Sequence, residues 1–194
     1  NSYADTGLQA ATTYYYRVYV MDMVNQHTAS NVVSATTLTQ LGNWSVNASL
    51  GTSLNAVDAL NESFAFAVGN GGAIYFYNGT SWSEESSPTI TPIFDVKIVS
   101  QTDVWAVGYN IYHYNGVNWS MIFDSDVCYS IEIVSENDIY VGAASGKIYH
   151  FDGTGWTFTA LDASSIYDIQ MDASDSGWAV DYHGKIFFYN GFGW

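Results

Sequence analysis

Short apolar runs alternate along the chain with clusters of Gly, Asn, Asp and Ser, and no segment carries convincing helical spacing. Tyr14, Tyr16, Val18 and Val20 fall on one side of an alternating segment whose other side carries Arg17, which predicts a strand wet on one face. A polar turn over residues 25–30 then precedes a second short strand over residues 31–36. Beyond residue 40 the pattern changes. Ile74-Tyr75-Phe76-Tyr77 is apolar at consecutive positions, as are residues 111–114, 148–151 and 186–189. A solvated sheet would alternate, so both faces of these segments must be covered. Each is followed by Asn-Gly or Asp-Gly, residues that accept the positive φ of a tight hairpin turn.

A tryptophan closes each such turn. Trp44, Trp82, Trp119, Trp156 and Trp194 are spaced by 38, 37, 37 and 38 residues, a fixed period that signals a repeat architecture. Two further landmarks keep the register. Phe66-Ala67-Val68-Gly69 matches Trp105-Ala106-Val107-Gly108, Tyr140-Val141-Gly142 and Trp178-Ala179-Val180-Asp181. Ten residues earlier, Val57-Asp58-Ala59 matches Val96-Lys97-Ile98, Ile131-Glu132-Ile133 and Ile169-Gln170-Met171. Each repeat thus holds four short strands, and four-stranded units with two covered faces at a fixed period describe the blades of a β-propeller. The blades are placed at 45–82, 83–119, 120–156 and 157–194, with Trp44 on an outer strand before the first. Burying one indole is worth about 4–6 kcal/mol before entropy, so the five tryptophans are read as blade-to-blade anchors.

The motif Trp-Ala-Val-Gly … Gly-x-Ile-Tyr-x-Tyr-[Asn/Asp]-Gly-x-x-Trp resembles the tryptophan-rich propeller repeats of secreted bacterial and archaeal proteins. Those are looser relatives of the Asp-box repeats of sialidase-like and photosystem-assembly propellers, and residues 151–156 come nearest to an Asp-box. Residues 5–36, with Leu8 six residues before Tyr14, are similar to the end of a fibronectin type III domain. That resemblance makes Tyr14 the corner tyrosine, with Ala10 and Ala11 replacing the usual Pro and Gly. The fold expected is all-β: partial fibronectin type III strands over 1–37, a linker over 38–43, and propeller repeats over 44–194. The repeats are expected to belong to a ring of six to eight blades, leaving two blade faces unpaired in this stretch.

Composition narrows the partners. The 194 residues carry 19 acids against 4 Lys and Arg, a net charge of −15, and residues 41–194 hold 17 of those acids with only 3 lysines. Four scattered cations cannot grip a nucleic-acid backbone or an anionic membrane surface. No run of 18 apolar residues is present, so no membrane insertion is expected of this segment. At 48% hydrophobic and 17% aromatic residues, disorder is excluded. Much of the acidity falls in inter-strand turns, where Asp serves turn geometry as well as charge. The chain begins at Asn1 and ends on a repeat tryptophan, which reads as a piece of a longer protein.

Candidate chemistry is sparse. Asp58, Lys97, Glu132 and Gln170 occupy one position on the first strand of each blade, where they line the central channel as solvated polar groups or converge on a ligand. Tyr109, Asn110, Tyr182 and His183 lie in loops between second and third strands, on the face through which propellers bind partners. His113 and His150 replace the Phe76 and Phe188 of other repeats and read as packing residues with a polar tip. The lone Cys128 reads as a buried apolar residue. The acidic turns 124–126 and 172–177 lack calcium-loop spacing, so no metal is expected. Sialidase-type propellers hold a carboxylate with an arginine cluster, whereas Arg17 is the only arginine here. No nucleophile–base pair and no phosphate loop stand out, so neither catalysis nor a cofactor is expected. Sequons at Asn43, Asn47, Asn61, Asn78 and Asn118 are compatible with an exported protein. The leading expectation is a non-enzymatic extracellular or cell-surface module that binds protein or glycan. The alternatives are an accessory part of a secreted glycan-degrading enzyme, and a propeller-type assembly factor.

Overall fold

The computed structural model describes residues 12–16, 19–21, 27–29, 33–36 and 46–194, which fall into two compact units, Asn1–Ser49 and Leu50–Trp194. In the first unit, β1 (Thr13–Tyr16) pairs antiparallel with β4 (Val33–Thr36), and β2 (Tyr19–Met21) pairs with β3 (His27–Ala29). Tyr14 stands opposite Ala35, and the Thr13 and Thr36 hydroxyls meet at 2.7 Å across the end of the ladder. One expectation is corrected here. His27–Ala29 is strand, not part of the polar turn, because it supplies the antiparallel partner for the backbone groups of Tyr19–Met21. Arg17, the linker at 38–43 and Trp44 lie outside the described residues.

The second unit is a row of four antiparallel sheets. Sheet 1 comprises β5 (Leu54–Asn61), β6 (Phe64–Gly69), β7 (Ile74–Tyr77) and β8 (Trp82–Glu84). Sheet 2 comprises β9 (Ile93–Ser100), β10 (Asp103–Gly108), β11 (Ile111–Tyr114) and β12 (Trp119–Phe123). Sheet 3 comprises β13 (Cys128–Ser135), β14 (Asp138–Ala143), β15 (Lys147–Phe151) and β16 (Trp156–Ala160). Sheet 4 has three strands, β17 (Ile166–Ala173), β18 (Ser176–Asp181) and β19 (Ile186–Tyr189). Strand order within each sheet follows the chain, and the first strands β5, β9, β13 and β17 pack side by side in sequence.

The turn before each tryptophan works as its residues require. Gly79, Gly116, Gly153 and Gly191 all adopt φ between 84° and 90°, and the preceding Asn78, Asn115, Asp152 and Asn190 each accept two backbone N–H bonds at 2.9–3.2 Å. The Thr154 hydroxyl and two backbone amides hold the Asp152 carboxyl down at about 2. Trp82, Trp119 and Trp156 are therefore the first residues of outer strands that run on for two to four residues.

Three apolar cores lie between consecutive sheets. Phe66, Val68 and Ile74 of sheet 1 bury Ile93, Val96 and Trp119 of sheet 2. Trp105, Val107 and Ile111 of sheet 2 bury Cys128 and Ile131 of sheet 3. Tyr140 and Ile148 of sheet 3 bury Ile166 and Ile169 of sheet 4. Covered on both faces, β10 and β14 are buried almost throughout, whereas β18 alternates buried and exposed positions.

The fourth sheet closes its second turn with a carboxylate. Asp181 stands where the other sheets have Gly69, Gly108 and Ala143. It is buried and accepts backbone N–H bonds from Ser164 (3.0 Å), His183 (3.0 Å) and Lys185 (2.8 Å). Those bonds, that from Ser164 foremost, hold its carboxyl below the usual range against the opposing effect of burial. A lowered folded pKa contributes stability above the unfolded value near 3.8 that is lost as pH falls through the folded value. Asp181→Ala is therefore expected to melt below the parent protein at neutral pH, with the gap narrowing as pH falls below the unfolded value near 3.8. Thermal melts over a pH series check this, and a gap independent of pH would refute it.

Candidate functional site: an aromatic row at one end of the sheets

Each inner strand carries the same irregularity two residues from its start. The register between first and second strands skips one residue, Asn55 in β5, Phe94 in β9, Tyr129 in β13 and Tyr167 in β17. A bulge of this kind leaves its extra residue unpaired and re-aims the side chain away from the alternation of the strand. In sheets 1 and 2 the residue opposite the bulge is a glycine and the backbones close up: a Cβ on Gly69 would lie 2.1 Å from Ser53 O, and one on Gly108 would lie 2.3 Å from Pro92 O.

Three of these bulge residues are aromatic, and they touch. Tyr129 packs against Phe94 at 5.5 Å between ring centroids and against Tyr167 edge-on at 4.7 Å. The row is extended at both ends by residues of the loops between second and third strands. Tyr109 lies 6.4 Å from Phe94, Tyr182 meets Tyr167 edge-on at 5.5 Å, and His183 follows Tyr182 at 5.2 Å. Tyr109, Tyr182 and His183, expected together with Asn110 as binding-face loops, thus form the flanks of a continuous row across sheets 2, 3 and 4. Tyr109, Tyr167 and Tyr182 are exposed. In sheet 1 the band stops, because Asn55 instead donates to Ile93 O (2.8 Å) and Asn70 Oδ1 (3.3 Å).

Polar groups edge the band. The Asn110 side-chain nitrogen donates to Asp124 Oδ1 at 2.9 Å. Asp126 accepts from Lys147 Nζ (2.5 Å) and Tyr149 OH (2.6 Å), bonds that hold its carboxyl below the ordinary range. Lys147 also lies over the Phe158 ring at 4.9 Å, and Lys185 pairs with Asp162 at 3.4 Å. Both lysines are thereby committed to carboxylates.

The channel positions meet one another rather than a common centre. Lys97 Nζ pairs with Glu132 Oε2 at 3.0 Å, and Gln170 Nε2 donates to Glu132 Oε1 at 3.1 Å, so three sheets are linked along one line. Asp58 accepts from Ile98 N at 2.7 Å, tying sheet 1 to sheet 2. Asp95 repeats the device with Ile131 N at 2.9 Å, tying sheet 2 to sheet 3, while burial pushes its carboxyl up. No group of three or more His, Cys, Asp or Glu arranged for a metal is present among the described residues.

The remaining candidates are packing groups. Trp119 meets Phe66 edge-on at 5.5 Å, and Trp156 meets Trp105 at 6.1 Å, each crossing from its own sheet to the one before. Trp194 packs against Tyr189 at 5.2 Å and joins the core between sheets 3 and 4, while Trp82 packs against Tyr77 at 5.2 Å. His113 Nε2 bonds Asp103 Oδ1 at 2.8 Å, and His150 Nε2 bonds Asp138 Oδ1 at 2.7 Å. His150 also stacks on Tyr140 at 4.3 Å. Burial pushes the Cys128 thiol up to about 12, so it is not a thiolate nucleophile at neutral pH.

No protein-family profile and no curated protein matches the chain. Solved structures do. The chain is similar to the computationally designed Ika4 protein, with TM-score 0.61 and 14% identity over 77% of this chain and 99% of that one. It is similar to the WD40 β-propeller domain of Doa1, with TM-score 0.62 and 10% identity over 72% of this chain, and to YCF48 from Cyanidioschyzon merolae, with TM-score 0.57 and 13% identity over 71%. The chain spans about half the length of each of those two structures (51%). The likeness is one of fold, and the four sheets of Leu50–Trp194 are β-propeller blades.

Proposed function

We propose that this chain is a non-enzymatic binding module whose contact surface is the aromatic row Tyr109–Phe94–Tyr129–Tyr167–Tyr182. The observation that carries this reading is a continuous row of touching rings over three blades, with Tyr109, Tyr167 and Tyr182 exposed and Phe94 and Tyr129 half-buried between them. Rings that already touch have little side-chain freedom left to order on binding, which favours recognition. The partner is a protein or a glycan with apolar faces, neutral or basic in charge, because residues 41–194 carry 17 acids against 3 lysines. An extracellular or cell-surface setting, with residues 1–37 closing a fibronectin type III spacer, belongs to the same reading. It is supported by the five sequons and by the scarcity of Lys and Arg.

An array of neutral glycans and basic peptides tests it directly. Tyr167→Ala combined with Tyr182→Ala should weaken whichever interaction is found by about 10-fold or more, whereas Phe158→Ala, exposed but off the band, should not. Binding untouched by the double variant would place the contact surface elsewhere.

A further inference from the structure

We infer that the outer edge of sheet 3 pairs with the same edge of a second copy of this chain, β16 against β16 about a two-fold axis at Phe158. The outermost strand of a sheet presents a row of unpaired backbone N–H and C=O groups, which natural proteins blunt by brevity, charge or a bulge. The fourth strands here differ in that respect. β8 is three residues long and carries the exposed Glu84. β12 has a register shift that leaves Ile122 without a partner in β11. β16 has none of these devices. Its five residues pair with β15 without a shift, and Trp156-Thr157-Phe158-Thr159-Ala160 holds no charge and no proline.

The ladder fixes which backbone groups face outward. Leu161 N donates to Gly146 O at one end of the β15–β16 register, and Asp152 N donates to Gly155 O at the other. Bonded pairs alternate in an antiparallel ladder, so Thr157 and Thr159 turn their N–H and C=O toward β15. Trp156, Phe158 and Ala160 turn theirs away from the sheet.

The strand is close to a palindrome, and that symmetry names the occupant. With Phe158 on the axis, an antiparallel second copy sets Phe158 against Phe158, Thr157 against Thr159 and Trp156 against Ala160. The outward residues Trp156, Phe158 and Ala160 then exchange both backbone bonds with their opposites, and the free edge is used in full. The side chains agree, because an aromatic pair on one face and Thr–Thr pairs on the other are favourable cross-strand combinations. Phe158 is 56% exposed in one copy and packs on Tyr149 at 5.7 Å. Lys147 lies over its ring but is paired with Asp126, so that cation brings no unpaired charge to the edge.

The edge does not depend on what stacks beside the sheet. Sheets 2 and 4 pack on the two faces of sheet 3, through the cores around Ile131 and Ile148, whereas β16 is the last strand in the order β13-β14-β15-β16. The contact is isologous and uses the same edge on both copies, so it closes at two. It shares no residue with the aromatic row and is independent of the binding proposed there.

Sedimentation velocity of the whole chain from about 1 µM to about 1 mM is the test. The result expected is a species of twice the 21.4 kDa chain mass that grows in with concentration. Phe158→Lys and Phe158→Glu each set like charges opposite one another across the axis, and should sediment as monomers with unchanged circular dichroism. Mixed in equal amounts they should dimerise, since the axis then sets Lys against Glu. Ala160→Pro removes an outward N–H and leaves the β15 ladder its bonds, and should weaken the dimer by about 10-fold. Monomers of the parent chain at every concentration would overturn the proposal. So would dimers that all three variants leave intact, which would put the interface elsewhere. Charged variants that stay monomeric when mixed would also overturn it, because Phe158 would then not face its own copy.

Discussion

Trp119→Ala lowers the stability of the blade array by about 3–5 kcal/mol, the usual cost of truncating a large buried aromatic. At about 2–4 °C per kcal/mol for a unit of this size, the melting temperature falls by about 6–20 °C. Trp119 is buried, meets Phe66 of the preceding blade edge-on at 5.5 Å and Tyr114 of its own at 5.5 Å, and anchors the core that also holds Val96 and Ile93. Its Nε1 has no acceptor among the described residues, so packing carries the contribution. Trp82→Ala is the control, since that ring is half-buried beside Tyr77. Calorimetry of the two variants decides it. A loss at Trp119 no larger than at Trp82 would show that the repeat tryptophans cap their own blades instead of joining neighbours.

The second large effect is expected at a glycine. Gly71 and Gly72 both hold positive φ, +68° and +76°, in the turn between β6 and β7. A Cβ on Gly71 would meet open space, and Ser145, its counterpart in the third blade, adopts φ 58° there. A Cβ on Gly72 would lie 2.0 Å from the carbonyl oxygen of Thr89, which is backbone and cannot swing aside. Gly71→Ala is thus expected to cost about 1 kcal/mol for the left-handed backbone alone, and Gly72→Ala about 3 kcal/mol or more. Denaturant melts of the pair measure the difference, and equal losses would show that the turn relaxes around the added methyl group.

The fold was legible because its strongest signals are periodic. Tryptophans recurring at 37 or 38 residues, each after Asn-Gly or Asp-Gly, mark both the repeat and its last hairpin. The site was only half legible. Tyr109 and Tyr182 stand out as loop aromatics, but Phe94, Tyr129 and Tyr167 read as ordinary strand residues, since alternation says nothing about a bulge. Aligning the repeats does put Asn55, Phe94, Tyr129 and Tyr167 in one column, which is the signal that finds them. The Asp–His pairs were readable in the same way. Histidine stands at 113 and 150 where aspartate stands at 103 and 138, while Phe76 and Phe188 accompany Phe64 and Ser176. The lateral bonds of Asp58 and Asp95 were not readable, because sequence spacing does not show which backbone N–H a neighbouring blade brings within reach.

Every ladder in Leu50–Trp194 joins strands that are consecutive in the chain. Folding rate in β proteins is usually limited by the entropy of closing long loops before distant strands can pair. Here no such closure is needed to form a sheet, and each completed sheet offers a template for the next through one inner strand. A wholly β chain of this design has the kinetic character of a linear array, in which order spreads between neighbours from whichever sheet forms first.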